Sequence, residues 1–232
     1  LRRISLRIQS QCWEHFPPGS GIYPRKAAGT GVSGLSKYGE HVTQGIQVVA
    51  IGGTTRPNSS SEKALRIAAQ AAKDAGAQVS FITGTDLLMP IYDTQSTERA
   101  AESLHLIERI RHADGVLISS PGYHGGMSGL IKNAIDYLED LSGERRPYLD
   151  GRAVGCVAVA HGWQASVTTL HQLRHITHAR RGWPTPMGAA VNTAETQFSA
   201  DGTLEDLAAH AALTRVGTQV VDFAEAFTAH RN

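Results

Sequence analysis

The chain has 232 residues, enough for one domain with a substantial core or two small ones, and a formal net charge of +1. Near-neutral charge gives no electrostatic case for nucleic acid or an anionic membrane as a partner. Two cysteines, Cys12 and Cys156, are too few and too far apart for a disulfide framework or a cysteine-based zinc site, and no run approaches the roughly 18 apolar residues of a membrane span. A reducing, cytoplasmic setting fits that cysteine usage.

Residues 1–45 are rich in Gly, Ser, Pro and Lys/Arg and sustain no period of 2 or 3.6. They read as a disordered leader, weakly like a transit peptide at Leu1–Ser10, with a domain following over 46–232. Ile46–Ile51 is a β-branched run ending at Gly52-Gly53, a buried strand. Ser59–Ala75 carries Leu65, Ala68, Ala69 and Ala72 at helical spacing, with Ser59 and Glu62 forming a capping box. Ala77–Ile82 is a second strand. Glu98–His112 is a helix with Leu104, Ile107 and Ile110 on its inner face, and Gly115–Ser119 is a third strand. Ser128–Leu141 is a helix with a stripe of Ile131, Ala134, Ile135 and Leu138. Ala153–Ala160 is a fourth strand, Ala165–Arg180 a helix, Pro186–Val191 a short fifth strand, and Leu204–Ala229 a closing helix.

This alternation predicts an α/β fold: a flavodoxin-like, doubly wound, five-stranded parallel sheet, order 2-1-3-4-5, with helices on both faces. In such sheets a ligand sits beyond the carboxyl ends of the strands, at the switch point beside strands 1 and 3. Three loops meet there.

The first, Gly53–Ser61, joins a strand to a helix start. Its unpaired amides, the helix dipole, the hydroxyls of Thr54, Ser59 and Ser61 and the guanidinium of Arg56 suit a phosphate. No Gly-Lys-Ser/Thr ending and no G-x-G-x-x-G occur, so a terminal monophosphate fits better than a pyrophosphate. A plainly capped helix start explains the same residues and uses the same donors. The second loop, Ser120–Met127, holds Pro121, Gly122, Tyr123, His124 and Gly125, a constellation that suits the edge of a flat heterocycle. The third holds His161, Gly162 and Trp163.

Gly53-Thr54-Thr55-Arg56…Ser59 and Ser120-Pro121-Gly122-Tyr123-His124-Gly125…Ser128-Gly129…Lys132-Asn133-Ala134-Ile135-Asp136, in that order and spacing, resemble the NADPH-dependent FMN reductase family over about residues 46–225. The resemblance implies non-covalent FMN, with NADPH or NADH as electron donor and a small-molecule acceptor. It puts Thr54, Arg56, Ser59 and Ser61 on the phosphate and Pro121 to Gly125 along the isoalloxazine. Where family members often carry a Gly-Gly pair after strand 4, this chain has Ala160-His161-Gly162-Trp163-Gln164. The family tendency is a homodimer or homotetramer. Reduced FMN released from such a protein would serve a reduced-flavin-using monooxygenase. Hydride transfer needs no side-chain acid or base, so no catalytic side chain is assigned. A quinone, azo-dye or metal-ion reductase, an electron-carrying flavodoxin, and a flavin-binding sensor are the competing readings.

Several features are set aside. His171, His175 and His178 share a helical face without a carboxylate or cysteine to complete a metal site, and read as a solvent or subunit-contact face. Trp183 reads as core or interface, Cys156 as an inert buried thiol, and Arg145-Arg146 as a solvated loop.

Overall fold

In a computed structural model, residues 45–231 are described; the leader reading of residues 1–45 therefore lies, but for Gly45, outside them. Seven strands form one sheet: β1 (Gln47–Gly52), β2 (Gln78–Thr83), β3 (Gly115–Tyr123), β4 (Gly126–Met127), β5 (Ala153–Ala160), β6 (Trp183–Pro184) and β7 (Ala189–Asn192). The helices are α1 (Ser60–Asp74), α2 (Ala101–His112), α3 (Gly129–Asp136), α4 (Trp163–Ala179) and α5 (Leu207–Arg231). The sheet runs β2-β1-β3-β5-β6, with β7 also on β5, and every pair is parallel except β3–β4. The expected five-strand order survives in the parallel strands. It is modified at two places: the expected fifth strand is found as β7 with a separate two-residue strand, β6, before it on the same neighbour, and β3 gains a short antiparallel return.

Period-2 alternation assigns the two faces of the sheet. Val49, Ile51, Val116, Ile118, Val154 and Cys156 point to one core, shared with α2, α3 and α4. Val48, Ala50, Leu117, Val157 and Val159 point to the other, shared with α1 and α5. That second layer is thin because α1 presents alanines to α5. A Cβ on Gly217 of α5 would lie 2.0 Å from the Ala68 carbonyl oxygen, so only glycine permits this approach.

Two helices differ from expectation. The α2 helix starts at Ala101 and buries Ser103, Leu106, Ile107 and Ile110, which leaves Leu104 on the outside. The expected helix Ser128–Leu141 ends as α3 at Asp136 and continues as a 3₁₀ segment, Tyr137–Leu141. In a 3₁₀ turn residues three apart eclipse, and Leu138 and Leu141 are both buried by it. The long connection before α2 is fastened here: Asn133 accepts from the Tyr92 amide at 2.9 Å and donates to the Pro90 carbonyl at 2.9 Å. Arg99 forms a two-pronged pair with Asp140 at 2.6 and 2.8 Å and lies over the rings of Tyr92 and Tyr137. The Arg99 hydrogen bonds hold the Asp140 carboxyl below its ordinary range.

At the amino end of the sheet Arg152 is 1 % exposed and donates to the carbonyls of Arg111, Ala113, Tyr148 and Asp150. Cys156 is buried, and burial pushes its thiol up to about 11, as an inert thiol requires. Trp183 packs partly on Phe223, 5.6 Å between ring centroids, and stays half exposed. No helix among the described residues is long and apolar enough to cross a membrane.

Candidate functional site

The carboxyl ends of β1, β3 and β5 open into a cleft of about 530 Å³, within the range of small-ligand sites. Its lining includes Thr54, Arg56, Ser59, Ser61, Pro121, Gly122, Tyr123 and His161, all singled out by sequence, together with Thr55, Ser60, Val159, Ala160 and Thr193. None of these residues is an acid.

One end of the cleft is the start of α1. Ser59 is its N-cap and accepts from the Glu62 amide at 3.3 Å. The expected capping box is half formed, because the Glu62 carboxylate takes the Asn58 amide at 3.2 Å and the Arg66 guanidinium instead of the Ser59 amide. Thr54 Oγ1 accepts from the Arg56 amide at 3.1 Å, which fixes the bend of the loop. The Ser59 and Ser61 hydroxyls stand 3.3 Å apart. Among the described residues the amides of Ser60 and Ser61 have no hydrogen-bond partner, and the exposed Arg56 guanidinium has no ion pair. Free amides at a helix N-terminus beside an unengaged arginine make an anion site.

The other end is built by β3. The strand runs on past Ser119 to Tyr123 and returns as β4 through His124 and Gly125. These two residues have φ of 49° and 87°, the left-handed pair of a type I′ hairpin turn. Pro121 is tolerated inside β3 because β1 ends opposite Ser119, leaving β5 as the only neighbour at that level. The hairpin is held from α4: the Gln172 side chain donates to the Gly125 carbonyl at 3.1 Å and accepts from the Met127 amide at 3.2 Å. Ser120 Oγ accepts from the Ser128 amide at 3.0 Å, tying the hairpin to the start of α3.

His124 and Gly125 form the exposed tip of the hairpin and are outside the cleft lining. Gly162 and Trp163 are outside it too. The Gly162 amide is held by Asn192 Oδ1 at 2.7 Å, and the Trp163 indole donates to Glu195 at 2.7 Å while half exposed. Thr169, Gln172, Thr193 and Asn192 build or line the site without having been singled out. For Thr169 and Gln172 the only signal is polar residues on α4 at a three-residue spacing; Asn192 and Thr193 follow the fifth expected strand and carry none.

The residues fit a phosphomonoester joined to a flat ring. The donor set sits at one end and carries no acid. Pro121, Gly122, Val159 and Ala160 give an apolar wall at the other. A Cβ on Gly122 would meet Thr169 Oγ1 at 2.8 Å and Ala160 Cβ at 2.9 Å, so this wall is packed tightly from behind.

A larger groove of about 750 Å³ lies between β4, α3 and α4, lined by Met127, Lys132, His171, His175 and Ile176 among others. It is off the carboxyl ends of the parallel strands, so the smaller cleft is the better ligand site. His171 and His175 line this groove and His178 is exposed; no metal-binding cluster occurs among the described residues.

Residues 46–197 match the NADPH-dependent FMN reductase family. An NADPH azoreductase of Bacillus sp. (strain OY1-2) is 30% identical over 86 residues, 37% of this chain and 45% of that protein. An FMN reductase (NADPH) of Pseudomonas aeruginosa is 27% identical over 157 residues, 66% of this chain and 81% of that protein. The match thus spans about half the length of the azoreductase and most of the reductase. Among solved structures, the flavoenzyme NAD(P)H:(acceptor) oxidoreductase FerB from Paracoccus denitrificans is similar in fold, with TM-score 0.65 and 22% identity over 78% of this chain and 98% of that one.

Proposed function

The chain belongs to the NADPH-dependent FMN reductase family, and on that premise we propose that it is an NAD(P)H-dependent oxidoreductase that holds FMN in the cleft at the ends of β1, β3 and β5. The observation that carries this reading is the division of the cleft into an acid-free, donor-rich helix start and a tightly packed apolar wall. Bound FMN would supply the redox chemistry, hydride acceptance from a nicotinamide and electron delivery to an acceptor. The protein supplies position. Arg56, the Ser60 and Ser61 amides and the hydroxyls of Thr54, Ser59 and Ser61 hold the phosphate. Pro121, Gly122 and Tyr123 border the ring, with His124 and Gly125 at the hairpin tip beyond them, and His161 borders its far side, with Gly162 and Trp163 following at the start of α4. The exposed face of Tyr123 leaves room for a nicotinamide to stack, a near-attack arrangement that binding enforces. No side chain is assigned to proton transfer.

Anaerobic mixing of the FMN-loaded protein with NADPH tests the reading. Rapid bleaching of the flavin band is expected; a persistent oxidised spectrum would leave an electron carrier or a sensor instead. Likeness to an azoreductase favours a second reading of the acceptor, an azo dye, quinone or metal ion in place of free flavin. An acceptor screen on the loaded protein separates these, including coupling to a reduced-flavin-using monooxygenase.

The functional unit in this reading is residues 46–232. A homodimer or homotetramer belongs to the same proposal, supported by the groove between α3 and α4, whose Met127 and Ile176 offer apolar surface. A cytoplasmic location is supported by dependence on NAD(P)H and by the free, buried Cys156 thiol.

A further inference from the structure

Three hydroxyl residues lie on the buried face of α4: Ser166, Thr169 and Thr177. Two of them use their own helix. Ser166 Oγ donates to the Gly162 carbonyl at 3.1 Å, and Thr177 Oγ1 donates to the Leu173 carbonyl at 2.9 Å. Such bonding to the carbonyl four residues back is the usual outlet for a helical Ser or Thr. Thr169 takes no such outlet. It is fully buried, and its Oγ1 is the one buried side-chain polar atom among the described residues without a hydrogen-bond partner. A buried hydroxyl left unpaired costs stability, and a fold that keeps one has a use for it.

Its position names the use. The point where a Gly122 Cβ would sit is 2.8 Å from Thr169 Oγ1 and 3.2 Å from the Ala165 carbonyl oxygen. The hydroxyl therefore sits directly behind Gly122, on the far side of the wall from the cleft. Gly122 bears no side chain to fix its dihedrals, and it is followed by the left-handed pair His124 and Gly125, whose tip is held through Gln172 of the same helix. The Gly122–Tyr123 stretch is paired only with the two-residue β4, and an unspent hydrogen-bonding group lies close behind its backbone.

We propose that Thr169 is a positioning residue for the cofactor wall: when FMN fills the cleft, the backbone of Pro121–Tyr123 turns one polar group back onto Thr169 Oγ1, so that cofactor binding and the wall's conformation are linked. This rests on the FMN reading above. It goes further by making a helix residue outside the cleft lining a determinant of affinity and of the flavin's environment.

The test compares wild type with Thr169→Val and Thr169→Ser, reading the melting temperature of the FMN-free protein, FMN affinity by fluorescence quenching, and the visible spectrum of bound flavin. Valine removes an unpaired buried hydroxyl at nearly constant volume, so the FMN-free protein should melt at or above the wild-type temperature. FMN affinity should nevertheless fall roughly three- to tenfold, the scale of one hydrogen bond, with an altered flavin spectrum. Serine should restore affinity and spectrum. The proposal is overturned if Thr169→Val binds FMN as wild type does, or if affinity falls only together with the melting temperature of the FMN-free protein, or if serine fails to restore it. Failure of wild type itself to bind FMN would instead bring down the functional reading on which the proposal stands.

Discussion

The two ends of the cleft are built by opposite strategies. At the α1 end the loop is self-sufficient: Thr54 fixes its own bend, Ser59 caps the helix, and Glu62 ties Asn58. What remains free there, two amides and one guanidinium, lines the cleft. At the β3 end nothing is self-sufficient. The hairpin borrows Gln172, Ser120 supports it from below, and Thr169 stands behind it unpaired. A charged group can be met by a rigid, pre-formed set of donors, because its position is dictated by electrostatics. A ring whose electron count changes is better met by a wall that can adjust. Binding strength should therefore reside at the α1 end, and control of the ring's properties at the β3 end.

The sharpest way to break this contrast is Arg56→Ala. Loss of a charge-assisted bond should cost roughly 1.5–3 kcal/mol, about ten- to a few hundredfold in FMN affinity. Riboflavin, which lacks the phosphate, should bind weakly and be indifferent to the substitution, since both changes remove the same interaction. Equal weakening of FMN and riboflavin by Arg56→Ala would move this arginine off the phosphate.

Next in size is Gly122→Ala. The new Cβ would press on the Thr169 hydroxyl and Ala160, so the wall must shift by a few tenths of an ångström or more. Affinity for riboflavin should fall with that for FMN, by about tenfold if the overpacking costs the usual 1–3 kcal/mol at its low end. A loss confined to FMN would contradict the division between the two ends.

A smaller effect tests a region away from the cleft. Asp140→Asn removes one side of the pair with Arg99, which is partly buried and two-pronged. The Asp140 carboxyl is lowered in the folded protein, so its contribution to stability is present above the ordinary carboxylate range near pH 4 and fades as pH falls through the lowered value. The variant should melt lower at pH 7, lose less than wild type below pH 4, and bind FMN normally. Parallel melting curves for the two proteins down to pH 2 would show that the pair carries no such linkage.

The smallest change is expected of Trp163→Ala. Its indole bonds Glu195 and its ring is outside the cleft lining, so FMN affinity should move less than threefold, with any change confined to flavin fluorescence. A tenfold loss would show that the α4 start closes over the ring.

The alternation of strands and helices and the capped start of α1 were readable because they are local. A β-branched run, a hydroxyl N-cap and a stripe of alanines each declare themselves within one window. The β3 end was only half readable. Pro121 and Gly122 read as a strand-to-helix loop, whereas the strand continues through them because β1 has already stopped beside it. Thr169 and Gln172 were invisible, since a threonine and a glutamine on a helix look solvated until the sheet closes on them. Leu104 misled for the complementary reason: it sits three residues before Ile107, but the buried stripe runs through Ser103, Leu106, Ile107 and Ile110 and passes it by on one side. What depends on a neighbour distant in sequence carries little signal in its own window.

Arg152 gives the opposite end of the sheet its own character. By gathering carbonyls from the end of α2 and the turn after it, and from Tyr148 and Asp150 just before β5, one guanidinium fastens two chain segments at the end of the sheet opposite the cleft. Opening events in such a molecule are graded along the strands: amides near Arg152 should exchange with solvent only through global unfolding, and those of the hairpin through shallow local excursions.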